Sequence, residues 1–253
     1  MSIKVIVPVH INLGGGIETF RAFLRRHKVF EDQLDFIIVI QDRDNSFLVN
    51  DAINAEAFNC TVLSNCTTHE SVSVGRNIGL ELCELGDLVS FLDYDDFLLE
   101  EFVEFWRGND AQGGASQFIF NYKLNLPHKN IVYKPPKFSN DNILSLHLME
   151  NFTPCLGTTF RKSHVKFDED TDDIREDHVF WHKIIKELYQ TENSINYVDL
   201  VVGEYCPNPK GRSFSQKFSL RVHLRTLLKM DVKAYYAMWL YVVKIYKGFK
   251  KYA

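Results

Sequence analysis

Two apolar runs frame the first forty residues. Ile3 to Val9 (IKVIVPV) and Phe36 to Ile40 (FIIVI) are rich in β-branched residues and show almost no polar alternation. Both therefore read as strands covered on two faces, the habit of a parallel sheet. Between them Ile17, Phe20, Phe23 and Leu24 recur at helical spacing, behind the breaker Gly14, Gly15 and Gly16. Strand, helix and strand in this length predict a βαβ unit.

The alternation continues. Thr61 to Leu63 predicts a weak strand, Val74, Ile78, Leu82 and Leu85 the inner face of a helix, and Leu88 to Leu92 (LVSFL) another buried strand. Further on, the pattern predicts a helix from Phe97 to Trp106, a strand from Gln117 to Asn121, and a helix from Asp141 to Glu150. A helix over Glu176 to Tyr189 turns Trp181, Ile184, Ile185 and Leu188 inward, and a late strand runs from Tyr197 to Tyr205. The class is α/β, and no internal repeat interrupts it. Pro135 and Pro136 punctuate one loop, and the stretch from Pro207 to Gly211 punctuates a second. The second sets a boundary, with a body over 1–210 and a helical segment over 211–253.

Charge sharpens that boundary. The formal net charge of −4 conceals eleven Lys and Arg from Lys210 onward against the single acid Asp231, which leaves eighteen basic against thirty-two acidic residues before it. An acidic body carries a basic tail. Its Arg221, Arg225, Lys229 and Lys233 form one stripe, followed by the aromatic run Ala234 to Val243. Ten residues are too short to span a bilayer. The tail is expected to lie on an anionic membrane surface, or to pack on the body or on a second copy. The chain runs from Met1 into its first strand with no signal-peptide pattern, so the expectation is a cytoplasmic protein whose tail reaches the inner face of the plasma membrane. Five cysteines without CxxC or His-interleaved spacing fit reduced thiols, not a disulfide framework or structural zinc.

The chemistry concentrates at Asp93-Tyr94-Asp95-Asp96, directly after the strand LVSFL. The carboxyl end of a strand is where open α/β sheets bind ligands. Three carboxylates in four residues repel one another unless a cation joins them, and hard oxygen ligands on a short turn suit Mg²⁺ or Mn²⁺ shared with a substrate diphosphate. The plainer reading is an acidic turn capping a helix that starts near Phe97.

Gly75-Arg76-Asn77-Ile78-Gly79-Leu80, followed by Phe91-Leu92-Asp93-Tyr94-Asp95-Asp96, resembles the (A/G)RNxGL and FLDxDD motifs of the family-2 glycosyltransferases. The opening VIVPV, the Glu176-Asp177 pair and the Gly211-Arg212-Ser213 loop are similar to further motifs of that family, in the same order. The resemblance covers residues 3 to 215. It implies a GT-A (Rossmann-like) mixed sheet flanked by helices, and an inverting, metal-dependent transfer of a sugar from a UDP-type nucleotide-sugar donor to a hydroxyl of a glycan or lipid-linked glycan. Carried over by position, Pro8 would border the nucleotide, Asp42 would accept from uracil, and Arg76 would lie over the base or diphosphate. Asp93 would face the ribose, Asp95 would ligate the metal, Asp177 would be the base with Glu176 as runner-up, and Arg212 would meet the diphosphate. Gln41-Asp42-Arg43-Asp44 departs from the family's usual DDGS, so the uracil contact is open between Asp42 and Asp44.

Bland alternatives stand beside these roles. Arg76 could pair with Asp87 or Glu81, Asp177 could be only a helix N-terminal acid, and Arg212 a surface cation. His10 and His182 read as structural. A nucleotidyltransferase would want a glycine-rich signature near the first strand, which is absent. A degenerate sugar-nucleotide binder without transfer activity is the third class. Nucleic acid is not an expected partner, because the tail has no reader motif.

Overall fold

The computed structural model describes residues 3–12, 15–67, 71–108, 115–126, 129–139, 141–169, 175–191, 193–207 and 220–230, together with 233, 236, 239, 242 and 243. Strands β1 (Ile3–Val9), β2 (Leu34–Ile40), β3 (Thr61–Ser64) and β4 (Leu88–Phe91) alternate with helices α1 (Gly16–His27), α2 (Ser46–Ala55) and α3 (Val72–Glu81). They pair in parallel in the order β3-β2-β1-β4. The second half contributes β5 (Phe97–Leu98), α4 (Glu100–Gly108), β6 (Ala115–Leu126), β7 (Lys129–Tyr133), α5 (Ile143–Met149), β8 (Thr158–Arg161), α6 (Glu176–Gln190), β9 (Ser194–Tyr205) and α7 (Leu220–Lys229). Beyond β4 the sheet continues β8-β6-β9-β5, with β7 as a hairpin on β6. β8 is antiparallel to both β4 and β6, so the sheet is mixed.

Side-chain alternation along each strand supplies two cores. Val5, Val7 and Val9 of β1 join Phe20, Phe23 and Leu24 of α1, Val49 and Ala52 of α2, and Phe102 and Val103 of α4 on one face. Ile6 points the other way, into a cluster with Leu80 of α3 and with Phe180, Trp181 and Ile184 of α6. Helices therefore flank both faces, as expected.

Helix α3 sits unusually close to the sheet. A Cβ on Gly79 would lie 2.4 Å from Ile6 Cγ2, and one on Gly75 would lie 2.4 Å from Gln41 Nε2 and 3.0 Å from Pro8 Cβ. Two glycines one turn apart thus let the helix backbone rest on β1 and the end of β2. Ser71 caps its start by accepting from the Val74 N–H at 3.1 Å. Asn77 ties it to the loop after β8, donating to Phe167 O at 3.0 Å and accepting from Phe167 N at 2.9 Å.

Two expectations change. Phe97 and Leu98 are not the start of a helix: they pair with Glu204 and Gly203 of β9, and the helix begins at Glu100. Leu98 N–H donates to Nε2 of the buried His27 at 3.0 Å while His27 Nδ1 meets Phe23 O at 2.8 Å. That ring is the neutral Nδ1–H tautomer, and burial pushes its pKa down to about 4. Helix α3 ends at Glu81, leaving Leu82 and Leu85 exposed, because the chain turns through Gly86 at φ +88° to enter β4. Helix α7 lays Leu224, Leu227 and Met230 against Val179 of α6 and Leu148 and Met149 of α5. The described start of the tail therefore packs on the body. Lys229 and Lys233 are exposed, as are Leu228, Tyr236, Trp239 and Val242. No described helix is long and apolar enough to cross a membrane.

Candidate functional site

Parallel pairing brings the carboxyl ends of β1, β2 and β4 to one rim, where Pro8, Asp42, Asp93 and Asp95 stand. After β4 the chain alternates: Tyr94, Asp96 and Leu98 are buried while Asp93, Asp95 and Phe97 are half-exposed. Tyr94 anchors the turn by donating its hydroxyl to His10 O at 3.0 Å. Asp96 accepts from the Cys206 N–H at 2.9 Å, linking the turn to the end of β9. Carboxylate oxygens of Asp93, Asp95 and Asp96 lie within 4.8 Å of one another. Burial, together with Asp93 and Asp95 beside it, holds the Asp96 carboxyl well above the usual range. Such a set of hard oxygens, whose mutual repulsion a cation would relieve, fits Mg²⁺ or Mn²⁺. Because α4 starts only at Glu100, the plain helix-cap reading of the turn fails.

Arg76 is buried, 3% exposed, and donates from Nη2 to Asp93 Oδ1 at 2.8 Å. Its guanidinium stands 5.3 Å from the Phe167 ring centroid and 5.8 Å from that of Phe91. Burial opposes its charge, but Cys155, Asp93, Glu176 and Asp177 more than compensate, so its pKa is raised. The bland partners are taken elsewhere: Asp87 pairs with Lys4 at 2.7 Å and Glu81 with Lys166 at 2.9 Å. Arg76 is thus bonded to the Asp93 turn, and the acidic start of α6 adds to the field that favours its charge.

At that start Asp177 is held on both oxygens. Asn151 Nδ2 donates to Oδ2 at 2.7 Å and His178 N–H to Oδ1 at 2.8 Å. Burial and the neighbouring Glu176 push the Asp177 carboxyl up, while Arg76 and the His178 amide pull it down, for a net rise. A carboxylate at a helix N-terminus whose pKa is raised is a better proton acceptor than an ordinary surface aspartate.

Asp42 is buried just beyond β2, accepting from Asn45 Nδ2 at 2.7 Å and Asn45 N at 3.3 Å. His10 Nδ1 lies 3.9 Å from it. Asp44 is exposed on the same turn. Pro8 is buried in β1 beneath Gly75. Arg212 lies outside the described residues, as do the rest of the Gly211-Arg212-Ser213 loop and Arg221's side chain. Sequence reasoning missed Asn151, Cys155 and Gln41, since no spacing marks them. Gln41 accepts from Asn65 Nδ2 at 3.0 Å and so couples the ends of β2 and β3.

No protein-family model and no curated protein sequence matches the chain. Solved structures do. A crystal structure of S. aureus TarS residues 1–349 in complex with UDP-GlcNAc is similar at 16% identity and TM-score 0.63, over 99% of this chain and 73% of that one. Glucosyl-3-phosphoglycerate synthase from Mycobacterium tuberculosis, in complex with Mn²⁺, UDP and glucosyl-3-phosphoglycerate, is similar at 14% identity and TM-score 0.54, over 92% and 81%. The mannosyltransferase PcManGT from Pyrobaculum calidifontis, with GDP-Man and Mn²⁺, is similar at 11% identity and TM-score 0.51, over 98% and 75%. The mixed sheet with helices on both faces, shared with these structures along nearly the whole chain, is the GT-A, Rossmann-like fold.

Proposed function

We propose that this chain is a metal-dependent inverting glycosyltransferase, moving a sugar from a UDP-linked donor to a hydroxyl of a glycan or lipid-linked glycan. The observation that carries the reading is the set of three carboxylates within 4.8 Å at the carboxyl end of β4, with Asp93 hydrogen-bonded to the buried Arg76. Asp95, with Asp93 beside it, would hold Mn²⁺ or Mg²⁺. When bound there, the cation supplies Lewis-acid neutralisation of the charge developing on the leaving diphosphate.

The remaining work belongs to the chain. Asp93 faces the ribose, and buried Arg76 holds it in place through its hydrogen bond at 2.8 Å. Asp42 accepts from the uracil, with Asp44 as the alternate, and Pro8 borders the base. Arg212 meets the diphosphate. Asp177 takes the proton of the acceptor hydroxyl as that oxygen attacks the anomeric carbon from the face opposite the diphosphate. A single displacement of this kind inverts the anomeric centre, by the same geometry that governs glycosidases whose base works on the opposite face. Glu176 is the runner-up for the base.

Water is the simplest acceptor, so the test needs no knowledge of the natural one. The full chain, incubated with Mn²⁺ and UDP-GlcNAc, UDP-glucose or UDP-galactose, is expected to release UDP slowly. A chelator should stop that release. By NMR the freshly released sugar should carry the β configuration from an α-linked donor. Release of UMP and sugar phosphate would instead point to phosphoryl chemistry and contradict the reading, and a retained α configuration would contradict inversion.

A further inference from the structure

Behind Asp177 runs a buried chain of hydrogen bonds whose direction can be worked out atom by atom. Thr153 N–H, which can only donate, points at one end of the Asn151 amide at 3.3 Å, so that end is the oxygen Oδ1. The other end is then the NH₂ group, and it donates to Asp177 Oδ2 at 2.7 Å. Thr153 Oγ1 also lies 3.1 Å from Asn151 Oδ1, and an amide oxygen only accepts, so the threonine hydroxyl gives its one proton to Asn151. His147 Nε2 lies 2.7 Å from the same hydroxyl oxygen and must therefore be the donor. His147 is the Nε2–H tautomer, consistent with its Nδ1 being buried without a partner among the described residues. Its ring and Thr153 are both fully buried. Burial and the adjacent His178 and His182 keep the ring neutral by pushing its pKa well down.

Every proton in this sequence points the same way, from His147 to Thr153, to Asn151, to the Asp177 carboxylate. We propose that Asn151 is a positioning residue for the catalytic base, and that Thr153 and His147 lock its amide so that only the donating end can face Asp177. The inference rests on the reading of Asp177 as the base. Its consequence is electrostatic as well as geometric. Asp177 is surrounded by Glu176 and Arg175 on its own segment, by Arg76 of α3 and by Cys155. Within that setting Asn151 gives the ionised carboxylate a charge-assisted hydrogen bond, which favours the form able to accept a proton. A freely flipping amide could present its oxygen instead and repel the carboxylate. The locked chain removes that option.

The test reads Asp177 directly. In the full chain carrying ¹³C-labelled aspartate, the carboxyl resonance lost in Asp177→Asn identifies the group, and its pH titration is followed by NMR without any substrate. Asn151→Leu should raise the Asp177 midpoint by about one pH unit, the scale of one hydrogen bond to a charged group. Thr153→Val should shift it in the same direction by less, and Thr153→Ser should restore the wild-type midpoint. With Mn²⁺ and UDP-GlcNAc, the acidic limb of UDP release should move with the NMR midpoint at unchanged donor KM. A wild-type midpoint in folded Asn151→Leu, or in Thr153→Val if the leucine variant does not fold, overturns the proposal. Wild-type turnover in Asp177→Asn would sink the base reading instead, while the NMR shift would still report the hydrogen-bond chain.

Discussion

Replacing Asp177 with asparagine is expected to lower turnover about 10²–10⁴-fold while donor affinity and the fold stay unchanged. An amide of the same shape keeps the space beside Asn151 filled but cannot take a proton from the acceptor. The amide can accept from only one of the two donors, Asn151 and His178, that hold the carboxylate, but the remaining effects on the fold oppose each other. Losing a negative charge at the start of α6 forfeits about 0.3–1 kcal/mol of helix-dipole stabilisation. Losing it also relieves the repulsion with Glu176 and the burial of a carboxylate, the two causes that raise the Asp177 pKa. Because that pKa is raised, wild-type turnover should fall on its acidic side at a pH above the ordinary aspartate range. The check is UDP release at saturating donor across pH, with thermal unfolding as the fold control. Turnover within about threefold of wild type would move the role to Glu176 or remove it from both.

The second large effect is on binding. Asp95→Ala should abolish the dependence of donor affinity on Mn²⁺, weakening UDP binding in the presence of the metal by about 100-fold or more, since divalent cations of this kind rely on only one or two protein carboxylates. Asp95 is half-exposed on the outward side of the turn, between the buried Tyr94 and Asp96. Its loss leaves the tyrosine's bond to His10 and the Asp96 link to Cys206 intact. It also thins out a cluster of three carboxylates. Calorimetry of UDP binding with Mn²⁺ and with chelator, for both proteins, reads the effect. If the variant kept the wild-type gain in affinity from Mn²⁺, the carboxylate turn would not be the metal site.

What could be read from the chain follows from what burial does to sequence. Strands β1, β2 and β4 are covered on both faces, so they write themselves as nearly unbroken apolar runs, and helix α6 shows its inner face in Trp181, Ile184 and Ile185. Strand β8 does not announce itself, although it lies in the middle of the sheet. Its Thr158 and Thr159 are polar, and Thr159 is tolerated there because its hydroxyl meets Ser90 Oγ of β4 at 2.6 Å. Strand β7 is an edge of exposed and half-exposed residues without an apolar run, and α2 is short, though its buried Val49, Ala52 and Ile53 do recur at helical spacing. Phe97 and Leu98 have helical neighbours in sequence but strand partners in space, and no local pattern foretells a pairing with residues a hundred positions later.

The site divides in the same way. Asp93, Asp95 and Asp96 fall within four residues at a strand end, so their meeting was legible. That Arg76 pairs with Asp93 and not with Asp87 or Glu81 depends on two glycines seating α3 against β1, a packing fact. Asn151 has no motif at all. It reaches Asp177 only because α5 and α6 lie side by side, with His147 and His178 in contact between them.

The most direct measurement is the melting temperature of the full wild-type chain with a panel of nucleotide sugars, in Mn²⁺ and in chelator. A ligand that binds only the folded state raises stability with its concentration over Kd, by about 2.7 kcal/mol at one hundred times Kd. The account predicts that at least one UDP-sugar raises the melting temperature by several degrees in Mn²⁺, that chelator removes the rise, and that the free sugar gives none. Equal stabilisation with and without metal, or none from any nucleotide sugar, would contradict it.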